Sequence, residues 1–170
     1  MKLKGDDELV SAQFLSDNGT IVVVTERGKA IRFKHTDIRT MGRTAGGVRA
    51  IKLGRGDSVA SASVVSASDK SAALLVITEK GYGKKTPIKE YKVQKRGGGG
   101  IKAANVSDKT GLLIRAHVVA EDETELAAIS KKGQVVRVAL GEVPTQGRAT
   151  QGVRVMKLRA GDGIASLVCL

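Results

Sequence analysis

Short apolar runs recur along the chain at near-equal intervals: Ile21-Val22-Val23-Val24, Leu74-Leu75-Val76-Ile77 and Leu126-Ala127-Ala128-Ile129. Each reads as a strand. Each is followed by a polar residue and a tight turn ending in glycine, as in Thr25-Glu26-Arg27-Gly28-Lys29, Thr78-Glu79-Lys80-Gly81-Tyr82 and Ser130-Lys131-Lys132-Gly133-Gln134. Glycine supplies the positive φ that a two-residue hairpin requires. A second strand then alternates, as in Ala30-Ile31-Arg32-Phe33-Lys34 and Val135-Val136-Arg137-Val138, which puts the apolar set inside and the cations outside. After a longer loop closing in a glycine-rich stretch, a third strand alternates again over Val48–Leu53 and Val153–Leu158. A Gly-Asp turn leads to a fourth over Ser58–Val65, with Leu112–Val119 in the matching place. The shortage of long helical faces makes the reading all-β.

Two landmarks keep one period. The turn glycines Gly28, Gly81 and Gly133 are 53 and 52 positions apart, and so are Gly47, Gly100 and Gly152, each opening a Val/Ile-Arg/Lys pair. Four-stranded units of about 52 residues in tandem predict a propeller-like array whose neighbours bury each other's faces. A parallel β-helix needs a much shorter repeat. The units run approximately over 15–66, 67–119 and 120–170, within a single domain 1–170 or part of one. Lys2-Leu3-Lys4-Gly5-Asp6 matches Lys157-Leu158-Arg159-Ala160-Gly161-Asp162, so the chain starts and stops at one phase of the unit. Three units are few for a closed ring. Either the chain is a piece of a longer array, or copies self-associate to complete a ring, or the array stays open with protected edges.

Composition sharpens this picture. Aromatic residues are only 2% of a chain that is 41% apolar, so the core is built from Val, Ile, Leu and Ala. Lys and Arg number 29 against 17 Asp and Glu, a formal charge of +12. That excess points to a polyanion, with nucleic acid ahead of an anionic membrane surface. Runs such as Thr20–Thr25 and Ala72–Thr78 are far too short to span a bilayer, and the acidic Asp6-Asp7 near the start is unlike a signal peptide. One cysteine, Cys169, suits a reducing cytosol and reads as a small buried hydrophobe on the last strand.

The densest cationic stretch is in the middle unit, from Lys84 and Lys85 through Lys92 to Gln94, Lys95 and Arg96, and it runs into Gly97-Gly98-Gly99-Gly100. Lys and Arg neutralise phosphates, while glycines admit close backbone approach and offer N–H donors to phosphate oxygens. Weaker loops at matching positions carry Arg43 and Arg148, and the following strands carry Arg49, Lys102 and Arg154. Fanned around a ring, these loops form a curved basic track, suited to backbone contact and DNA bending rather than base reading. Scarce aromatics argue against single-strand stacking.

Catalytic readings fare badly. His35 and His117 have no Cys or carboxylate at ligand spacing, so no metal site is expected. Glu121-Asp122-Glu123 reads as a solvated acidic turn, and Asp57 and Asp162 as turn residues that cap their own backbone. The glycine run lacks the Gly-Lys-Ser/Thr ending of a nucleotide-binding loop, so no cofactor is expected. Tyr82 and Tyr91 suit packing or phosphate contact better than nucleophilic attack.

Gln94-Lys95-Arg96-Gly97-Gly98-Gly99-Gly100 resembles the gyrase A box, the heptapeptide signature of the DNA gyrase A C-terminal domain family. Six positions agree, and Gly99 stands where the family has a cation. Thr78–Tyr91 resembles the family's strand-turn-strand approach to the box, with Lys89 where Ser is usual. The likeness spans all three units. It is less close to the C-terminal domain of topoisomerase IV, whose boxes are degenerate. The resemblance implies a β-pinwheel, a propeller whose blades exchange strands, with duplex DNA wrapped on a basic perimeter. It further implies a cytosolic, nucleoid-associated module, not an enzyme by itself, working with the rest of the gyrase A protein and with the gyrase B protein in ATP-driven negative supercoiling. The alternative is a basic propeller that binds an acidic protein.

Overall fold

The protein is described here as a computed structural model covering residues 3, 5–15, 18–69, 71–120 and 122–170. Lys2 and Lys4 of the opening match, and Glu121 of the acidic turn, lie outside the described residues. In chain order the strands are β1 (Thr20–Thr25), β2 (Lys29–Lys34), β3 (Val59–Val65), β4 (Ala73–Thr78), β5 (Tyr82–Pro87), β6 (Ile101–Lys102), β7 (Leu113–Val119), β8 (Glu125–Ser130), β9 (Val135–Ala139), β10 (Val153–Arg154) and β11 (Ile164–Cys169). The fold is all-β. A single 3-10 turn follows each second strand, over His35–Asp37, Ile88–Glu90 and Leu140–Glu142, in stretches the hydrophobic pattern left as loop.

Each unit begins with an antiparallel hairpin. Val23 sits opposite Ile31, Val76 opposite Lys84 and Ala128 opposite Val136. The connecting loops are three residues long in the first two units and four in the third, not two. Glycine closes each with φ near 80° (81°, 80° and 80° at Gly28, Gly81 and Gly133), the arrangement of a type I turn followed by a left-handed bulge residue. A buried hydroxyl locks each loop: Thr25 Oγ1, Thr78 Oγ1 and Ser130 Oγ accept from the backbone N–H four residues on, at 3.2, 3.2 and 3.0 Å.

The sheet orders are β3-β1-β2-β6, β10-β5-β4-β7 and β11-β8-β9. The segment read from sequence as the third strand of its own unit therefore belongs to the sheet before it. Ile101 pairs with Ala30, and Val153 with Gly83. It is also only two residues long in each case. Val48–Leu53, expected as a strand, forms none, because no sheet among the described residues offers it an edge.

The continuous apolar runs are explained by packing on both faces. Val22 and Val24 pack with Leu74, Val76, Leu113 and Ala116 between the first two sheets. The other face of β4, Leu75 and Ile77, packs with Leu126, Ala128 and Ile164 between the second and third. Alanine and valine at these seams let the sheets approach closely with few large rings; Phe33, Tyr82 and Tyr91 are buried aromatics. Among the described residues, no helix is long and apolar enough to cross a membrane.

The hairpin glycines sit where the next unit's chain presses closest. Ala103 and Ala104 donate to Gly28 O at 2.7 and 3.2 Å, while Val155 and Met156 donate to Gly81 O at 3.0 and 3.1 Å. A Cβ at Gly81 would lie 2.5 Å from Met156 O, whereas one at Gly133 would meet nothing within 4 Å. Gly133→Ala is expected to lose about 1–2 kcal/mol from the left-handed backbone alone. Gly81→Ala should lose clearly more in denaturant unfolding; equal losses would remove the close inter-unit approach from the account.

Candidate nucleic-acid interface

The glycine-rich loops hang from the exchanged strands, and one set of bonds repeats from unit to unit. Lys52 N donates to Gly98 O at 2.8 Å, and Asn105 N to Thr150 O at 3.0 Å. Gln94 N donates to Arg32 O at 2.7 Å, and Gln146 N to Lys85 O at 2.8 Å. The end of the stretch 43–52 is thus fastened to the loop 94–102, and the end of the stretch 94–105 to the loop 146–154. The three stretches lie side by side in one track.

Two arginines reinforce these seams. Arg96 Nη1 donates to Arg49 O, and its Nε to Asp37 O at 3.1 Å. One unit on, Arg148 Nη1 donates to Lys102 O at 2.9 Å. The planar fork of a guanidinium can hold a carbonyl and still present N–H groups outward. Arg32 and Lys85 form an inner joint in the same way, donating to Ile88 O at 3.1 Å and Leu140 O at 2.7 Å. Burial lowers the Arg32 pKa.

The four glycines from Gly97 to Gly100 do different things. Gly97 and Gly100 have φ of 83° and 68°, and a Cβ at Gly100 would lie 2.6 Å from Ala30 O, so these two are demanded by the backbone. Gly98 rests above Ile31, whose Cδ1 would be 3.6 Å from an added Cβ. Gly99 is exposed, has no left-handed φ, and faces nothing within 4 Å.

Among the cations expected at the interface, Lys92, Lys95, Lys102, Arg43, Arg49 and Arg154 are exposed, and Arg96, Arg148 and Lys85 are half-buried. Lys92, Lys95 and Arg43 have no side-chain partner among the described residues. Lys102 Nζ donates to Asn105 Oδ1 at 2.8 Å. Arg154 donates to Tyr82 Oη at 3.1 Å and lies 5.4 Å from the centre of its ring. Lys84 is corrected: it is fully buried and donates to Gly147 O, Arg148 O and Thr150 Oγ1 at 2.6, 2.6 and 3.1 Å. It clamps the third unit's loop from below instead of facing solvent. The signal was available, since the matching positions in the other units are Ile31 and Val136, on the inward face. Burial pushes the Lys84 ammonium down to about 8; Glu90 opposes this and Arg148 adds to it. Lys52 and Lys89, not counted among the interface residues from sequence, are exposed as well.

Tyr82 and Tyr91 are both buried, and burial pushes the Tyr91 phenol up to about 12. Asp57 and Asp162 do more than cap their own turns, because each also accepts from the hairpin loop, at Arg27 N (3.0 Å) and Lys132 N (3.1 Å). The view of His117 as isolated is corrected as well. Folding brings it together with Glu123 and Cys169, their ligand atoms within 4.8 Å of one another.

Residues 19–66, 72–120 and 124–170 each match the family model described as DNA gyrase C-terminal domain, beta-propeller. The chain belongs to the DNA gyrase C-terminal domain family. It is 39% identical over 163 residues to the DNA gyrase A protein of Staphylococcus epidermidis, a match covering 96% of this chain and 18% of that protein. With the DNA gyrase A protein of Lawsonia intracellularis it shares 42% identity over 159 residues, 94% of this chain and 19% of that protein. The chain thus spans about a fifth of the curated gyrase A proteins it matches. A solved DNA gyrase A C-terminal domain superposes with a TM-score of 0.89 at 28% identity, over 99% of this chain and 56% of the other. The C-terminal domain of DNA topoisomerase IV shares the fold at a TM-score of 0.90 and 21% identity, over 99% and 52%.

The clamp at Lys84 gives this gyrase-family chain a measurable signature. Lys84→Met leaves three acceptors without their donor, an expected loss of about 1–3 kcal/mol. The native group releases its proton near pH 8, but near 10.5 when unfolded. Between those values the unfolded chain binds more protons, so the stability contributed by Lys84 rises with pH. Denaturant unfolding of both proteins should show a wider gap at pH 10 than at pH 7.

Proposed function

We propose that this chain binds duplex DNA through its phosphates, without base preference, and bends it along the track of loops. It does so as part of the C-terminal module of a type II topoisomerase that drives negative supercoiling, with the remainder of the gyrase A protein and the gyrase B protein as its partners in the bacterial cytosol. The observation that carries this reading is the continuous fastening of the stretches 43–52, 94–105 and 146–154. Arg43, Arg49, Lys95, Lys102 and Arg154 lie within these stretches and Lys92 just before one of them, and their exposed charges support the reading. Lysine ammonium groups there form point contacts to phosphates, and the backbone amides of Gly98–Gly100 add donors. A track built from successive units turned relative to one another favours a bent duplex. The strand-cleaving and ATP-hydrolysing chemistry belongs, on this reading, to other parts of the topoisomerase.

The test is topological. The chain is mixed with relaxed closed-circular DNA, treated with a nicking-closing topoisomerase and removed, and linking number is read across a salt series. A linking-number shift that fades with salt is expected. With about six to ten phosphates engaged, affinity should fall on the order of a thousandfold or more between about 50 and 200 mM salt. Salt-insensitive, weak binding would instead favour an acidic protein partner.

Single residues divide the contribution further. Lys92→Ala with Lys95→Ala should lower the salt slope by about two without changing stability. Gly99→Lys should raise it by about one, since the site has room for a side chain. Unchanged slopes in both variants would remove the box from the interface.

A further inference from the structure

Where the outer strands of the second and third sheets meet, three side chains converge that the DNA track does not use. His117 stands on β7 opposite Leu75, and Cys169 on β11 opposite Leu126. Glu123 lies on the connection from β7 to β8. The imidazole nitrogen, a carboxylate oxygen and the sulfur all lie within 4.8 Å of one another. His117 Nε2 is 2.8 and 2.9 Å from the two Glu123 oxygens. An ionised carboxylate only accepts, so Nε2 carries the proton and donates it. Ala120 N donates to Glu123 Oε2 at 2.8 Å, and the carboxylate is thereby held from two sides.

The repeat makes this junction distinctive. By strand register, the positions matching His117 and Cys169 at the junction of the first and second sheets are Ser63, opposite Val22, and Val118, opposite Leu74. One junction therefore has a hydroxyl and an apolar group where the other has an imidazole and a thiol. All three side chains are half-buried.

We propose that His117, Glu123 and Cys169 form a binding site for a zinc-class divalent ion, with a fourth position open to water, that ties the outer strands of the second and third sheets together. Mixed nitrogen, oxygen and sulfur donors suit zinc and its neighbours, whereas calcium and magnesium take oxygen. Ligand distances of about 2.0–2.3 Å from a tetrahedral ion put the donor atoms about 3.3–3.8 Å apart, so small side-chain rotations close the site. Binding expels the thiol proton, and the proton on His117 Nε2 moves through solvent to Nδ1, so that the neutral ring offers Nε2 to the ion. The proposal is independent of the DNA-binding reading.

Cobalt(II) titration of the purified, reduced chain tests it. One equivalent should produce a near-ultraviolet sulfur-to-cobalt band and strong visible bands of a four-coordinate ion, both displaced by zinc. Cys169→Ser should abolish the sulfur band, and His117→Gln and Glu123→Gln should each weaken binding by more than about tenfold. Zinc should raise the thermal midpoint of the native chain and leave that of Cys169→Ser unchanged, with circular dichroism of the metal-free variants reporting their fold. The site is refuted if the native chain shows no sulfur band, or if the band survives Cys169→Ser. Undiminished affinity in both His117→Gln and Glu123→Gln would reduce it to a lone thiol and refute it equally. The native spectrum decides the matter even if a variant fails to fold.

Discussion

Neither four-stranded sheet in this chain is completed by its own unit. The second unit's Ile101–Lys102 edge strand finishes the first sheet, and Val153–Arg154 finishes the second. Backbone N–H and C=O groups at a sheet edge must find partners, and here they find them one unit back. Everything else on the surface follows from that displacement. The box loop precedes the exchanged strand in sequence, so each loop is carried across the seam and set against the preceding unit's loop. Gly28 and Gly81 are needed because the incoming chain passes within hydrogen-bond distance of their carbonyls.

The cations divide along chemical lines once the seams are in view. Arg96 and Arg148 hold carbonyl oxygens across a seam, a task suited to a planar fork with several fixed donors. Lys92 and Lys95 keep compact, hydrated charges in solvent. The box motif therefore combines two functions within a few residues: its arginine and two of its glycines shape the loop, and its lysine leaves a charge on the outside. Net charge alone does not separate these roles.

Much of the architecture was legible in the sequence because the repeat is strict where the backbone is constrained. Continuous runs such as Leu74–Ile77 marked strands packed on both faces, and the left-handed glycines marked the turns and the box ends. The partner of the third strand was not legible from the pattern, because alternation looks the same whether a strand pairs within its unit or with the one before. Val48–Leu53 has the right alternation and forms no strand, since a strand needs an edge as well as a pattern. Lys84 was misplaced because a cluster of cations invites a surface reading, although alignment with Ile31 and Val136 put it on the inward face. His117, Glu123 and Cys169 were invisible as a group, because it is the meeting of two sheets, not their spacing in the chain, that unites them.

The two seams beneath the loops differ in kind. Under the first, Ile31 supports Gly98 through apolar contact, which has no preferred direction and survives a small rotation. Under the second, Lys84 grips three oxygens and Thr86 Oγ1 donates to Gln146 O at 2.8 Å, contacts that weaken steeply when their angles change. The array thus has two unlike joints on a common backbone frame: a change in the charge of Lys84 reaches the second, where its ammonium holds the loop oxygens, and has no counterpart at the first.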